Sequence, residues 1–375
     1  MIKIDKGDCM EEKKKSRREE REERLESKKE SKKRQERILS SLVALIENTN
    51  KKGPADAENV DEIEEFAGFV EEESTVAGRM LADFIYNFTN EFELGKMYKT
   101  WEIRKKVEDA DLEREWKAPS GYNMTHFDLE NFSMKLLSKS ENPRFDKIIL
   151  QLHGGGYVAK IKNAYYNMAV NYSEAGHGMS VLSPDYRVAS EAKFPGALED
   201  AVASYQWLLD RGFKGNQIIL GGDSAGGGLA IALTMYLRDH DMPLPCGIVA
   251  MSPWTDLTLS GESYSLNYEL DPLFGNSRKT MLYESDYPGE EDKKNPYISP
   301  IYGNFREFPP MLIQVGSTEM LLSDSVTAAS MADVAGVEVR LSIYDDMFHV
   351  FPMAGKLFPE AKKAWEEIEQ FIQLL

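Results

Sequence analysis

Ile218 to Leu229 reads I-I-L-G-G-D-S-A-G-G-G-L. A short apolar run ends in two glycines. Asp223 and a lone serine follow, three more glycines come after Ala225, and an alternating apolar pattern resumes. Gly222-Asp223-Ser224-Ala225-Gly226 is a G-x-S-x-G sequence, which puts a serine on a sharp strand-to-helix turn with its hydroxyl exposed. Small neighbours are needed there, because the backbone takes strained dihedrals and comes close to itself. Taken alone, the same stretch could be a glycine-rich turn with no chemistry. The other parts of a site have to be found elsewhere in the chain.

The elements around this turn alternate. Phe127 to Leu137 has the two-residue period of an early strand or hairpin. Lys147–Leu152, Met179–Ser183, Gln217–Leu220, Gly247–Met251, Met311–Val315 and Glu338–Ile343 read as buried strands. Ala197–Asp210, Leu229–Arg238, Ala328–Val334 and Ala361–Leu375 read as helices. Such alternation over more than half the chain predicts an α/β fold with a mostly parallel central sheet and helices on both faces.

Upstream, Val60 to Lys106 has helical spacing, with Phe66, Phe69, Met80, Leu81, Phe84, Ile85 and Phe88 on one face. Phe92, Leu94, Met97, Tyr98, Trp101 and Ile103 mark a second stretch. These helices either pack on the main domain or form a lid over a pocket, and both roles are compatible. Before them, Glu11 to Arg37 is almost all Glu, Lys and Arg and is expected to be an exposed helix or disordered. Ile38–Ile46 is apolar enough to dock on another surface. The expected organisation is a charged extension over residues 1–50, a helical cap region over 51–120 and a catalytic domain over 121–375.

The chain has 375 residues and a formal net charge of −18. The first 40 residues hold 15 Lys/Arg against 11 Asp/Glu, and the remainder holds 30 against 52. An acidic body disfavours nucleic acid and anionic membranes as partners. No apolar run is long enough to span a bilayer, and the charged start has no apolar core of a signal peptide, so stable membrane insertion is not expected. Two cysteines, Cys9 and Cys246, fit a reducing compartment and a cytoplasmic protein. Metal and nucleotide motifs are missing, so no cofactor or metal is expected. The charged extension could mediate homo-oligomer contacts or simply aid solubility.

A serine hydroxyl needs a base, and the base needs an orienting acid. Of His126, His153, His177, His240 and His349, the last follows the final strand. It alone satisfies the chain order nucleophile, acid, histidine that goes with a serine on such a turn. The acid is sought after Met311–Val315. Glu319 lies just past that strand and is preferred, with Asp324, five residues on, as its rival. Oxyanion donors are expected from the Ala225 N–H and from the His153-Gly154-Gly155-Gly156 run, with Gly155 and Gly156 the donors and His153 a brace.

H-G-G-G-Y, G-D-S-A-G-G and D-D-M-F-H-V-F together resemble the hormone-sensitive-lipase-like family of α/β-hydrolase esterases. Asp185-Tyr186-Arg187, Ser252-Pro253-Trp254 and Asp271-Pro272 ahead of Ser299-Pro300 are similar to that family too. The resemblance runs from about Leu137 to the C-terminus. It implies the α/β-hydrolase fold with an N-terminal helical cap over the site. It also implies hydrolysis of small to medium acyl esters through an acyl-enzyme, with a small-molecule ester as the partner and no cofactor. Hydrolysis of amides or lactones, or an inactive small-molecule receptor on the same fold, are the alternatives. The chain departs from the family in offering Glu319 where an Asp is usual, and its charged extension has no family counterpart.

Overall fold

The computed structural model describes residues 66–91, 99–100, 102 and 115–375. The charged extension, Ile38–Ile46 and most of the aromatic stretch from Phe92 to Ile103 lie outside these residues. In chain order the elements are β1 (Gly68–Glu72), α1 (Val76–Glu91), β2 (Tyr122–Asp128), β3 (Ser133–Lys139), β4 (Arg144–Leu152), α2 (Asn163–Ala175), β5 (Met179–Asp185) and α3 (Gly196–Asp210). They continue with β6 (Ile218–Asp223), α4 (Ala225–Asp239), β7 (Gly247–Met251), the single turn α5 (Ser263–Leu266), β8 (Met311–Gly316), α6 (Leu322–Val334), β9 (Val339–Tyr344) and α7 (Pro359–Leu374).

Among the described residues, nine strands form one sheet in the order β1-β9-β8-β7-β6-β4-β5-β3-β2. All pairings from β1 to β5 along this order are parallel, and β3 is antiparallel to both β5 and β2. Strands β6, β7 and β8 are buried along their whole length, which is why they read as unbroken apolar runs. Ile149, Ile219, Val249 and Leu312 point to one face, where Tyr172 of α2 and Trp365, Ile368 and Phe371 of α7 cover them. Helices α3, α4 and α6 pack on the opposite face. The helix at Asn163–Ala175 is not signalled by the sequence pattern. It carries almost no charge and only a weak amphipathic stripe, because most of it is buried.

The start of the described chain departs from expectation. Helical spacing was expected from Val60 onward, but Gly68–Glu72 is a strand, parallel to β9 at the sheet's edge. Gly68, at φ +130°, interrupts any helix, and the next residues Phe69-Val70 have high strand preference. The Asp345 N–H continues the pairing onto the Glu72 carbonyl at 2.8 Å. The helix then runs as expected over Val76–Glu91, with the buried Glu360 carboxylate accepting the Thr75 N–H at its start. Its inner residues Leu81, Ala82 and Ile85 pack against Phe348, Phe351 and Phe358.

One buried charge ties β8, β9 and α7 together. Glu367 accepts from Gln314 Nε2 at 2.7 Å, Ser342 Oγ at 2.6 Å and Tyr344 OH at 3.2 Å, and it pairs with the Arg340 guanidinium. Arg340 also donates to the Phe66 carbonyl at 3.0 Å and lies over the Phe66 ring. Removing the cation leaves a nearly buried carboxylate with neutral donors only. Arg340→Met is expected to lower unfolding free energy by about 2–3 kcal/mol in urea titrations. A loss below about 0.5 kcal/mol, the scale of an ordinary surface change, would contradict this reading.

Candidate active site

Five neighbouring parallel strands deliver their carboxyl ends to one place. In sheet order β9, β8, β7, β6 and β4 lead into His349, Glu319, Ser252, Ser224 and the His153–Gly156 loop. This is the edge at which open α/β sheets place their ligands.

Ser224 stands between β6 and α4 at φ +52°, ψ −123°, a conformation that costs a non-glycine residue about 1–3 kcal/mol. The strain is held from several sides. The Ser224 N–H donates to the Met251 carbonyl at 2.9 Å, and the Ser224 carbonyl accepts the Trp254 N–H at 2.8 Å and the Gly228 N–H at 3.1 Å. Glycine is required on both sides. A Cβ at Gly222 would lie 2.3 Å from the Gly226 oxygen, and one at Gly226 would lie 2.1 Å from the Leu152 oxygen.

His349 Nε2 lies 2.9 Å from Ser224 Oγ, and its Nδ1 lies 2.8 Å from Glu319 Oε2. Facing a carboxylate, Nδ1 carries the proton and donates it, so Nε2 is left to accept from the serine. Glu319 is fully buried. Its other oxygen accepts from Gly316 N–H at 2.6 Å and Ser252 Oγ at 2.7 Å, and Ser252 Oγ in turn accepts the Val350 N–H at 3.1 Å. The structure therefore brings Ser224, His349 and Glu319 together. It does not bring Asp324 to the histidine. Asp324 sits in the first turn of α6, where its Oδ1 accepts the N–H groups of Thr255 and Asp256 at 2.9 and 2.8 Å. Burial and the neighbouring Asp256 hold its carboxyl well above the usual range.

The glycine loop after β4 faces the elbow. Gly155 and Gly156 take φ +108° and +63°, and a Cβ on Gly156 would run into the Met281 sulfur. The Ala225 N–H opens α4 behind the serine. His153 is completely buried, stacks on Tyr186 at 4.0 Å and donates Nδ1–H to the Gly154 carbonyl at 2.7 Å. Burial pulls it down to about 3, so it is neutral and braces the loop. Among the described residues no group of His, Cys, Asp and Glu could hold a metal, and no helix is long and apolar enough to cross a membrane.

Sequence reasoning did not assign two of these neighbours. Ser252, at φ +46°, orients Glu319, and its only signal was the S-P-W run at the end of β7. Asp223 lies buried just before Ser224 and accepts the Gly154 N–H at 3.1 Å, which ties the elbow to the glycine loop. It stood inside the G-x-S-x-G motif at a position that the pattern leaves free.

This fold and site place the chain in the α/β-hydrolase fold family, whose profile matches residues 149–353. Within that family it belongs with the hormone-sensitive-lipase-like esterases, and it is a carboxylesterase-type hydrolase. It is 36% identical over 227 residues to an acetyl-hydrolase of Streptomyces hygroscopicus, a match covering 60% of this chain and 75% of that protein. It is 34% identical over 230 residues to an esterase of Acinetobacter venetianus, covering 60% of this chain and 74% of the relative. A solved esterase from the bacterial hormone-sensitive lipase family superposes with a TM-score of 0.69 at 31% identity, over 80% of this chain and 98% of that one. The receptor alternative therefore gives way to an enzyme.

Two outcomes are expected. Ser252→Ala removes one donor from Glu319 and the acceptor of Val350 N–H. It should lower kcat/KM for p-nitrophenyl butyrate about tenfold with the circular dichroism unchanged, and full activity would refute the role. Burial pushes the Asp223 carboxyl up to about 7, against the pull of His349 and the Gly154 N–H. Its unfolded value is about 3.9. A folded value above the unfolded one favours folding fully at low pH, and that contribution is lost as pH rises through about 7. Asp223→Asn keeps an acceptor for Gly154 and cannot ionise. Its melting temperature should exceed the parent's by more at pH 8 than at pH 5; an equal difference at both would refute the shift.

Proposed function

We propose that the chain hydrolyses small to medium acyl esters, of the acetyl or butyryl type, through a Ser224–His349–Glu319 triad and an acyl-enzyme. The observation that carries this is the unbroken hydrogen-bonded line from Glu319 through both nitrogens of His349 to the Ser224 hydroxyl. Ser224 Oγ attacks the ester carbonyl carbon, and His349 Nε2 takes the hydroxyl proton. Glu319 keeps the ring oriented and stabilises the imidazolium. The N–H groups of Gly155, Gly156 and Ala225 receive the oxyanion. Collapse breaks the bond to the alcohol, which leaves with the proton from His349. A water then gives a proton to His349 as it attacks the acyl carbon, and collapse breaks the bond to Ser224 Oγ, which takes the proton back from His349 as the acid leaves.

The preference for short chains is supported by similar proteins: one relative is called an acetyl-hydrolase, and EstE5 was solved after soaking with p-nitrophenyl butyrate. Aromatic side chains crowd the same end of the sheet, with Tyr157 stacked on Tyr287 at 3.8 Å and Phe274 against His349. The chain is read as an extension over 1–50, a cap region over 51–120 and a catalytic domain over 121–375, with β1 anchoring the cap region to the sheet. With few cysteines, a cytoplasmic location fits this reading.

Ser224→Ala should reduce p-nitrophenyl butyrate hydrolysis by about 10⁴-fold or more while leaving the circular dichroism intact. Glu319→Gln should cost about 10³–10⁴-fold in kcat. Phenylmethylsulfonyl fluoride should inactivate the parent, with one sulfonyl group on Ser224 by mass spectrometry. Across an ester series, acetate and butyrate should give higher kcat/KM than palmitate. An active Ser224→Ala enzyme would overturn the mechanism.

A further inference from the structure

The loop that follows α5 is bound to the acid and to the base at once. Asn267 Nδ2 donates to the carbonyls of Ser317 and Glu319 at 3.0 and 2.7 Å. Asp271 is fully buried. Its Oδ1 accepts the N–H groups of Leu273 and Phe274 at 2.8 and 2.9 Å, and its Oδ2 accepts the N–H of Met320 at 2.8 Å. Met320 follows Glu319 directly, so a carboxylate on this loop holds the peptide on which the triad acid hangs. Phe274, three residues on, sets its ring edge-on against His349 with the centroids 4.8 Å apart.

The far end of the loop is held from outside the catalytic domain. Lys99 is buried, and its Nζ donates to the Gly275 carbonyl at 2.6 Å and to Asn90 Oδ1 at 2.8 Å. Asn276 Nδ2 reaches the same Asn90 oxygen at 3.1 Å. Between these anchors the loop is tightly folded. A Cβ at Gly275 would lie 2.3 Å from the Tyr268 oxygen and 2.5 Å from the Asp271 oxygen, so the backbone at Gly275 packs directly on that of Tyr268 and Asp271. A buried ammonium is costly. Burial lowers Lys99 to about 8, and Asp271 is the charge that pulls it back up.

We propose that Asp271 and Lys99 are positioning residues for the Glu319–His349 pair. Asp271 clamps the peptide beside the acid, and Lys99 locks the Phe274 loop against the base, so that the segment ahead of β2 takes part in aligning the triad. The proposal rests on the triad reading given above. Lys99 touches no reacting atom, and its effect is on where His349 stands.

The test compares Lys99→Met, Phe274→Leu, the double variant and Ser224→Ala with the parent on p-nitrophenyl butyrate. Lys99→Met keeps the length and removes the charge and donors. It should retain the parent's circular dichroism, keep KM within about twofold and lose about tenfold in kcat, well inside the about 10²-fold that a displacement of 1 Å can cost. Since both changes act through one loop, the double variant should lose little more than the worse single one. Parent-level kcat in folded Lys99→Met, a lowered melting temperature with unchanged kcat, or fully additive losses would each overturn the proposal. Should Lys99→Met not fold, Asn90→Ala, which removes one of the lysine's two acceptors, carries the same expectation and the same overturning result. An active Ser224→Ala enzyme would instead overturn the underlying triad, so the two failures are told apart.

Discussion

The start of α4 lies so close to the end of β4 that a methyl group at position 226 would sit 2.1 Å from one carbonyl oxygen and 2.5 Å from the next. That approach sets the geometry of the whole site. It accompanies the strained φ +52°, ψ −123° of Ser224, two residues earlier. It also brings the N–H at the head of α4 alongside the glycine loop that leaves β4. Asp223 fixes the same junction from the other side through the Gly154 N–H. The Ser224 turn and the glycine loop beside it are thus a single packing solution.

The acid–base half of the site is built differently. Glu319 and His349 come from two loops that are tied by backbone hydrogen bonds, Ser317 N–H to the Tyr344 carbonyl at 2.9 Å and Thr318 N–H to the Met347 carbonyl at 3.4 Å, and side chains then set the final alignment. Ser252 and the Gly316 N–H fix one oxygen of Glu319 and leave the other for the histidine. A glutamate has one more rotatable bond than an aspartate, and two donors on one oxygen remove that freedom. This accounts for how a Glu can stand where the similar family usually has an Asp.

Much of this could be read from the chain. Gly222, Gly226, Gly155 and Gly156 mark backbone positions that only glycine fills easily, so they leave a local trace. The order of Ser224, Glu319 and His349 along the chain follows from strands that run parallel, which also explains why Asp324 was a credible rival: five residues apart, both lie just beyond β8. Only the third dimension separates them, since Asp324 already sits inside α6 and turns toward Thr255. Ser252 and Asp271 escaped for another reason. Their partners are 67 and 49 residues away, and no local pattern records such a hydrogen bond. The sequence does not reveal β1, because five residues are too few to show a period of two within a longer helical pattern.

The placement of β1 has a consequence for how the polypeptide can be divided. Without it, β9 would be the outermost strand, with a row of unpaired N–H and C=O groups along the strand that leads to His349. Such a row invites a strand from another molecule. A fragment that begins near residue 121 would therefore lack the edge strand β1. It would be prone to self-association at the edge next to the loop that carries His349, even with Ser224, Glu319 and His349 all present.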